Sequence, residues 1–411
     1  MRKSIIALAL ICVLSLPGWA QQVGLDHFVG QALQNSPLIK DLKNQVAANK
    51  LDSMRLRAGY GPQVGFNSTG NYSPSIRGFG FDEALSNGQT FSALATINQS
   101  INGKKRVNTQ LNEIGLTRDS VSNSLVLSSA ALQRTITEQY ITVYAAQQQY
   151  DFNKEVFELF KNEELILKKL TRSNVYKQTD YLTFLVSLQQ QELQMKQSRI
   201  SFLNNLAILN YLSGINDTTL IHLAEPMIAR KAEKYPQESI FLKQYRLDSL
   251  RLQNNRQLVD INYRPKVGAY ADAGYNSSFK QPYKNFGTAI GFTLSVPIYD
   301  GHQRKLQYHK IDLAENTRVS YRDFFVNQYH QQIELLEQQL QKNEELFQQL
   351  NEQIRYTESL IKVNARLLPS GDIRIVDYIL AINNYMNARN LLRQTNITRL
   401  QLINQLNYWN Q

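Results

Sequence analysis

Residues Gly59-Tyr60-Gly61-Pro62-Gln63-Val64-Gly65 return as Asn262-Tyr263-Arg264-Pro265-Lys266-Val267-Gly268, 203 positions later. Asn102-Gly103 returns as Asp300-Gly301 at 198, and Thr179-Asp180-Tyr181-Leu182 as Val376-Asp377-Tyr378-Ile379 at 197. Asn210-Tyr211-Leu212 returns as Asn407-Tyr408-Trp409, again at 197. An offset that drifts so little marks a tandem duplication, and whatever one half folds into the other must also fold into. The halves read as residues 21–215 and 236–411, with a linker at 216–235.

Each half switches its apolar period from helix to strand and back. From Phe286 to Ile298 the chain alternates Phe286, Thr288, Ile290, Phe292, Leu294, Val296 and Ile298 on one face with Gly287, Ala289, Gly291, Thr293, Ser295 and Pro297 on the other. This is the period of two expected of a strand. Val64 to Tyr72, Phe91 to Ile97 and Val267 to Tyr275 alternate likewise, giving four strands, two per half. Their lengths, about 12 to 14 residues, exceed the roughly 9 to 11 that cross a bilayer. Gly-, Asn- and Pro-containing loops at about 76–88 and 279–285 join each pair.

The remainder has coiled-coil spacing. Leu340, Phe347, Ile354, Ile361 and Leu368 recur every seven residues, with Leu336 and Leu350 supplying the partner seam. From Lys104 to Arg172 there is no Pro, so one helix of about 100 Å is predicted at 1.5 Å per residue. Shorter helices are predicted over 26–58 and 179–213, and in the second half over 238–262 and 375–409. Each half reads as one long helix beside two short stacked ones.

Residues 1–20 differ from all that follows. Arg2 and Lys3 precede the apolar run Ile5 to Leu16, and small residues Gly18 and Ala20 end the segment, as in a secretory signal peptide. Its Cys12 is the only cysteine of the 411 residues, which excludes a disulfide framework and a thiolate zinc site. No later stretch reaches the roughly 18 apolar residues of a membrane-spanning helix, so any membrane crossing falls to the strands. Four strands cannot close, and open edges in hydrocarbon leave unpaired backbone groups, so several copies would have to combine.

The order of paired strands ending in Pro297-Ile298-Tyr299-Asp300-Gly301, then a long helix, a short turn and a returning helix opening at Val376-Asp377-Tyr378, resembles the TolC-like outer-membrane efflux proteins. The resemblance covers essentially the whole chain after residue 20. It implies an α+β membrane protein in which long coiled-coil hairpins form an α-barrel and a homotrimer shares one β-barrel, four strands per chain. It further implies an outer-membrane location with the helices in the periplasm, and the role of a passive exit channel. Its partners would be a periplasmic adaptor protein, an inner-membrane transporter of the RND or ABC class, and outer-membrane lipid.

By the same resemblance, the turns carrying Arg172, Asn174 and Gln178, and Arg366, Pro369, Gly371 and Asp372, form the tip that docks the adaptor. Thr179, Asp180, Arg374 and Asp377 fall at the gate, where relatives close the narrow end of the tunnel. The family's second aspartate is Leu380 here, so Asp377 would form a single ring. The family arginine is Ile373, with Arg374 one place later, and the tyrosine partner is Leu368, which leaves open whether salt bridges close the gate. A carboxylate near a helix N-terminus also has a purely local explanation in Asp180 and Asp377.

The formal charge of +11, from 45 basic and 34 acidic residues, is spread along the helices without aromatic clustering, so nucleic acid is not an expected partner. Five histidines, His27, His222, His302, His309 and His330, include no metal-ligand spacing, and no phosphate loop or nucleophile elbow is present. No catalytic activity and no cofactor is expected. Phe66, Tyr72, Phe91, Tyr270, Tyr275 and Phe292 are candidates for membrane-interface girdles. A periplasmic structural coiled-coil protein is the alternative reading, and it leaves the four duplicated strands unexplained.

Overall fold

The computed structural model describes residues 23–86, 88–101, 103–217, 219–232, 239–278 and 286–411. The expected signal peptide, part of the linker and the loop 279–285 lie outside them. Along the chain run α1 (Leu25–Asn35), α2 (Pro37–Gly59), β1 (Gln63–Tyr72), β2 (Gln89–Ile101), α3 (Lys104–Arg172) and α4 (Gln178–Ser213). The second half supplies α5 (Ile240–Asn262), β3 (Lys266–Ser277), β4 (Phe286–Ser295), α6 (Gln303–Leu367) and α7 (Ile375–Trp409). No helix among the described residues is long and apolar enough to cross a membrane.

The long helix expected over 104–172 forms as read. The expected helix over 26–58 is broken instead at Ser36, whose φ and ψ of −57° and 119° are not helical. Pro37 is the cause, because its ring disfavours helical backbone in the preceding residue and supplies no N–H to continue the ladder. The fourth strand is also shorter than read, ending at Ser295 where alternation continues to Ile298. Pro297 cannot donate to a ladder, and a polar/apolar alternation does not by itself reveal a missing donor. The strands have 10, 13, 12 and 10 residues.

The chain divides into two compact units, each drawing on both halves of the duplication. The first comprises residues up to Lys40, Val126–Ser239 and Val326–Gln411. In it the buried side chains of α3, Ile136, Tyr140, Val143, Val156, Phe160 and Leu167, recur at helical spacing. One cluster joins Ile136, Tyr140 and Val143 to Phe28 and Ala32 of α1 and to Phe202, Leu206 and Leu209 of α4, while Val156, Phe160 and Leu167 belong to a second cluster with Phe184 of α4. The seam read from α6 is present: Leu336, Leu350, Ile354 and the following Leu368 are buried, and Leu336 packs against Leu402 and Leu406 of α7. The connecting segment after α4 is tied down by Tyr140, whose hydroxyl contacts the carbonyls of Val23 (3.1 Å) and Ala224 (2.6 Å).

The second unit comprises Asp41–Leu125 and Ile240–Phe325. Its four strands form one antiparallel sheet in the order β1-β2-β3-β4, with β2 against β3 joining the two halves of the duplication. Val64 pairs with Ile97, Ile97 with Ala271 and Ala271 with Ile290, so these side chains share a face. The same register puts Phe66, Ala95, Ala273, Phe91, Tyr275, Phe286, Phe292 and Leu294 on that face. The opposite face carries Asn67, Thr69, Asn71, Ser92, Thr96, Asn98, Asp272, Asn276 and Thr293.

Among the described residues, nothing covers the apolar face at its edges. Val64, Phe66 and Tyr72 of β1 are 71–75% exposed, and Phe286, Ile290, Phe292 and Leu294 of β4 are 64–89% exposed. Burying each such side chain is worth roughly 2 kcal/mol, so an apolar surrounding would stabilise the sheet beyond what the described residues provide. Five of the six girdle candidates lie on this face. Tyr270 lies on the polar face, its ring over Gly291 directly across the ladder, where a Cβ would sit 2.5 Å from the ring. Only glycine leaves the phenol that seat.

Candidate functional site

The two helix-to-helix turns both belong to the first unit. After α3 the chain closes through Val175, whose N–H meets the Leu170 carbonyl at 3.0 Å, with Asn174 in left-handed backbone (φ 59°). After α6 the N–H of Leu368 meets the Asn364 carbonyl at 3.0 Å, and Gly371 takes φ 78°. Gly371 is needed twice over, since its backbone is one that L residues resist and a Cβ would lie 2.9 Å from the Val175 methyl. Ser370 donates its hydroxyl to Asp372 at 2.5 Å, in turn chemistry typical of short polar residues.

Each turn delivers a basic residue to the N-cap of the returning helix and an aspartate three residues later. Lys177 caps α4 and Arg374 caps α7, both with extended backbone. The two aspartates then do different things. Asp180 accepts the backbone N–H of Lys177 at 3.3 Å, satisfying one of the donors that a helix start leaves free. Asp377 accepts both Nε and Nη2 of Arg374, each at 2.8 Å. A planar guanidinium can offer two parallel donors where an ammonium offers a point charge, which is why the Arg turn forms the fork. The fork holds the Asp377 carboxyl below its usual range and pushes Arg374 upward.

Beneath these groups lies an apolar cluster from both turns, with Tyr176, Phe184, Leu368, Ile375, Tyr378 and Ile382 buried together. Tyr176 spans the turns: its hydroxyl lies 2.8 Å from the Leu368 carbonyl and 3.0 Å from that of Ile373. Tyr378, beside Asp377 in sequence, is fully buried and its hydroxyl contacts Oε1 of Glu163 at 3.2 Å. Burial raises the Tyr378 hydroxyl and the Glu163 carboxyl, the contact with Tyr378 offsetting part of the shift on Glu163. Tyr181, the duplicate of Tyr378, hydrogen-bonds Glu164.

Of the residues read from the sequence, Arg374 and Asp377 are in contact, whereas Thr179 is exposed and lends only its carbonyl, to the Thr183 hydroxyl. Arg172, Asn174, Gln178, Arg366, Pro369, Gly371 and Asp372 are all exposed on the two turns. Arg172 and Arg366 end their helices, where a cation complements the helix dipole. Tyr176 and Glu163 were missed. The signal for Tyr176 was an aromatic in a five-residue turn, Ser173 to Lys177; Glu163 carries none.

No protein-family model and no curated protein matches the sequence. Solved structures do. A membrane protein from Pseudomonas aeruginosa superposes with a TM-score of 0.76 at 12% identity, covering 94% of this chain and 90% of that one. The outer-membrane protein VceC of Vibrio cholerae gives 0.74 at 13% identity, with 93% and 96% covered. The open state of the MtrE outer-membrane channel of Neisseria gonorrhoeae gives 0.73 at 12% identity, with 94% and 88% covered. The likeness covers nearly the whole chain, and the fold of this chain is therefore that of the TolC-like outer-membrane channels.

Proposed function

We propose that three copies of this chain form a passive exit channel in the outer membrane, through which solutes handed over by an inner-membrane transporter and a periplasmic adaptor leave without chemical change. The observation that carries the reading is the four-stranded sheet. It has one uncovered apolar face, one polar face and two unpaired edges. In hydrocarbon each unpaired backbone group costs several kcal/mol, so the sheet is stable there only when copies close it into a barrel. Twelve strands from three chains place the apolar face against lipid and the polar face around water, the alternation that membrane barrels use. The likeness to outer-membrane channels supports the same arrangement.

The helical turns lie on the periplasmic side of the membrane. The exposed turns at Arg172 to Gln178 and Arg366 to Arg374 are the docking surface for the adaptor, itself paired with a transporter of the RND or ABC class. Asp377, repeated about a threefold axis, gates the narrow end and favours cations there. Its fork with Arg374 holds the carboxylate charged and in place. Thr179 and Asp180 line the same gate. A periplasmic coiled-coil scaffold would account for the helices, but would leave the exposed apolar strands in water.

Conductance across planar bilayers tests the reading. The purified protein should form discrete channels, and Asp377→Ala should raise their conductance or weaken cation preference. Wild-type protein that inserts without conducting would contradict the channel; unchanged currents in the variant would remove Asp377 from the gate.

A further inference from the structure

The described strand residues carry two charged side chains, Lys266 and Asp272, both on β3 and both on the polar face of the sheet. Lys266 opens the strand. Six residues at about 3.3 Å each place it roughly 20 Å from Asp272 along the strand, more than twice the screening length of about 8 Å in physiological salt. Across the ladder Asp272 faces Thr96 on β2 and Ala289 on β4. Its diagonal neighbours are Leu94, Asn98, Gly287 and Gly291. None bears a charge.

Asp272 has no ion-pair partner among the described residues, and its Oδ1 is buried and makes no hydrogen bond. Beside it lies a cavity of about 400 Å³, with Leu94, Gly274, Asn276, Gly287 and Ala289 among its walls. Small residues leave this space open where larger ones would fill it. An unneutralised carboxylate whose cross-strand and diagonal neighbours are all uncharged is a costly choice for stability alone. A purely structural carboxylate would have a cationic or donor partner at Oδ1.

We propose that Asp272 is a second cation-selecting site, within the transmembrane part of the duct and separate from the helical turns, and that the solutes it favours are cationic. This rests on the channel reading above. Three copies on the wall of a lipid-clad pore focus a negative potential into the water they enclose, because the low-dielectric surround confines the field. The cavity gives a hydrated cation room beside each carboxylate. Neutral Asn, Thr and Ser elsewhere on the face offer weak, exchangeable contacts that do not hold the solute back.

The test is the reversal potential of single channels of the full-length protein under a KCl gradient, for wild type, Asp272→Asn and Asp272→Lys. The same variants are measured in the Asp377→Asn background, so that the gate does not mask the result. Asp272→Asn should lower the cation-to-anion permeability ratio on the order of threefold at 0.1 M salt, and Asp272→Lys should invert the preference. Both effects should fade near 1 M salt, where the screening length falls to about 3 Å. Conducting channels with an unchanged reversal potential in both variants would overturn this proposal and leave the duct intact. Loss of assembly in Asp272→Asn would make the residue structural and overturn it too, whereas a wild type that never conducts would remove the duct and this site together.

Discussion

The Tyr176 hydroxyl is a single atom that meets backbone carbonyls of the other turn, reached by a chain path of almost 200 residues. Tyr176→Phe keeps the ring in its cluster and removes only that contact. A hydrogen bond of this kind is worth about 1 kcal/mol net, so the variant should lose roughly that much stability. Amide exchange at Leu368 to Ile373 should accelerate while the remaining helix protection stays as it was; unaltered exchange would mean the turns are held by the apolar cluster alone. Glu163 yields a second prediction, with a definite sign. Its carboxyl is raised by burial, so its contribution to stability is fully present below the unfolded value near 4.5 and is lost as pH rises through the folded value. Glu163→Gln removes that dependence and retains a partner for Tyr378. The variant should melt higher than wild type at pH 7, and the gap should close as pH approaches 4.5. A gap independent of pH would show that the charge is not the cause.

At the scale of elements, periodicity made the long helices and the strands legible, because both are repeating patterns of one residue type along one segment. It failed where a single residue interrupts the pattern. Pro37 breaks the first helix, and Pro297 stops β4 short of its apolar alternation. What lay beyond the sequence was the meeting of distant segments: the Tyr176 contact, the Glu163 to Tyr378 pair, and the different use that Lys177 and Arg374 make of equivalent aspartates. The register of the sheet gives the sharpest test at this scale, since neighbouring residues of β1 face opposite ways. Phe66→Lys places a charge on the apolar face and should cost about 2–4 kcal/mol at mid-bilayer depth, with loss of assembled protein. Asn67→Lys, on the polar face, should assemble normally. Equal yields of assembled protein, read by semi-native gel, would mean that the apolar face does not meet lipid.

At the scale of the whole molecule, the duplication does most of the explaining. One unit of helix, paired strands, long helix, turn and returning helix occurs twice, and the pairing of β2 with β3 welds the copies into one sheet. Among the described residues that sheet has two free edges and an apolar face exposed at those edges, which in the channel reading proposed above are closed and covered when further copies of the chain and lipid meet them. The sequence pattern pointed to further copies, but not to their number, because contacts between copies leave no periodic trace along one chain. The central claim is therefore assembly. The native mass of the protein after detergent extraction from purified outer membranes measures it most directly. A species of three chains that survives mild denaturant is the result predicted here; a water-soluble monomer or dimer in the periplasmic fraction would contradict it.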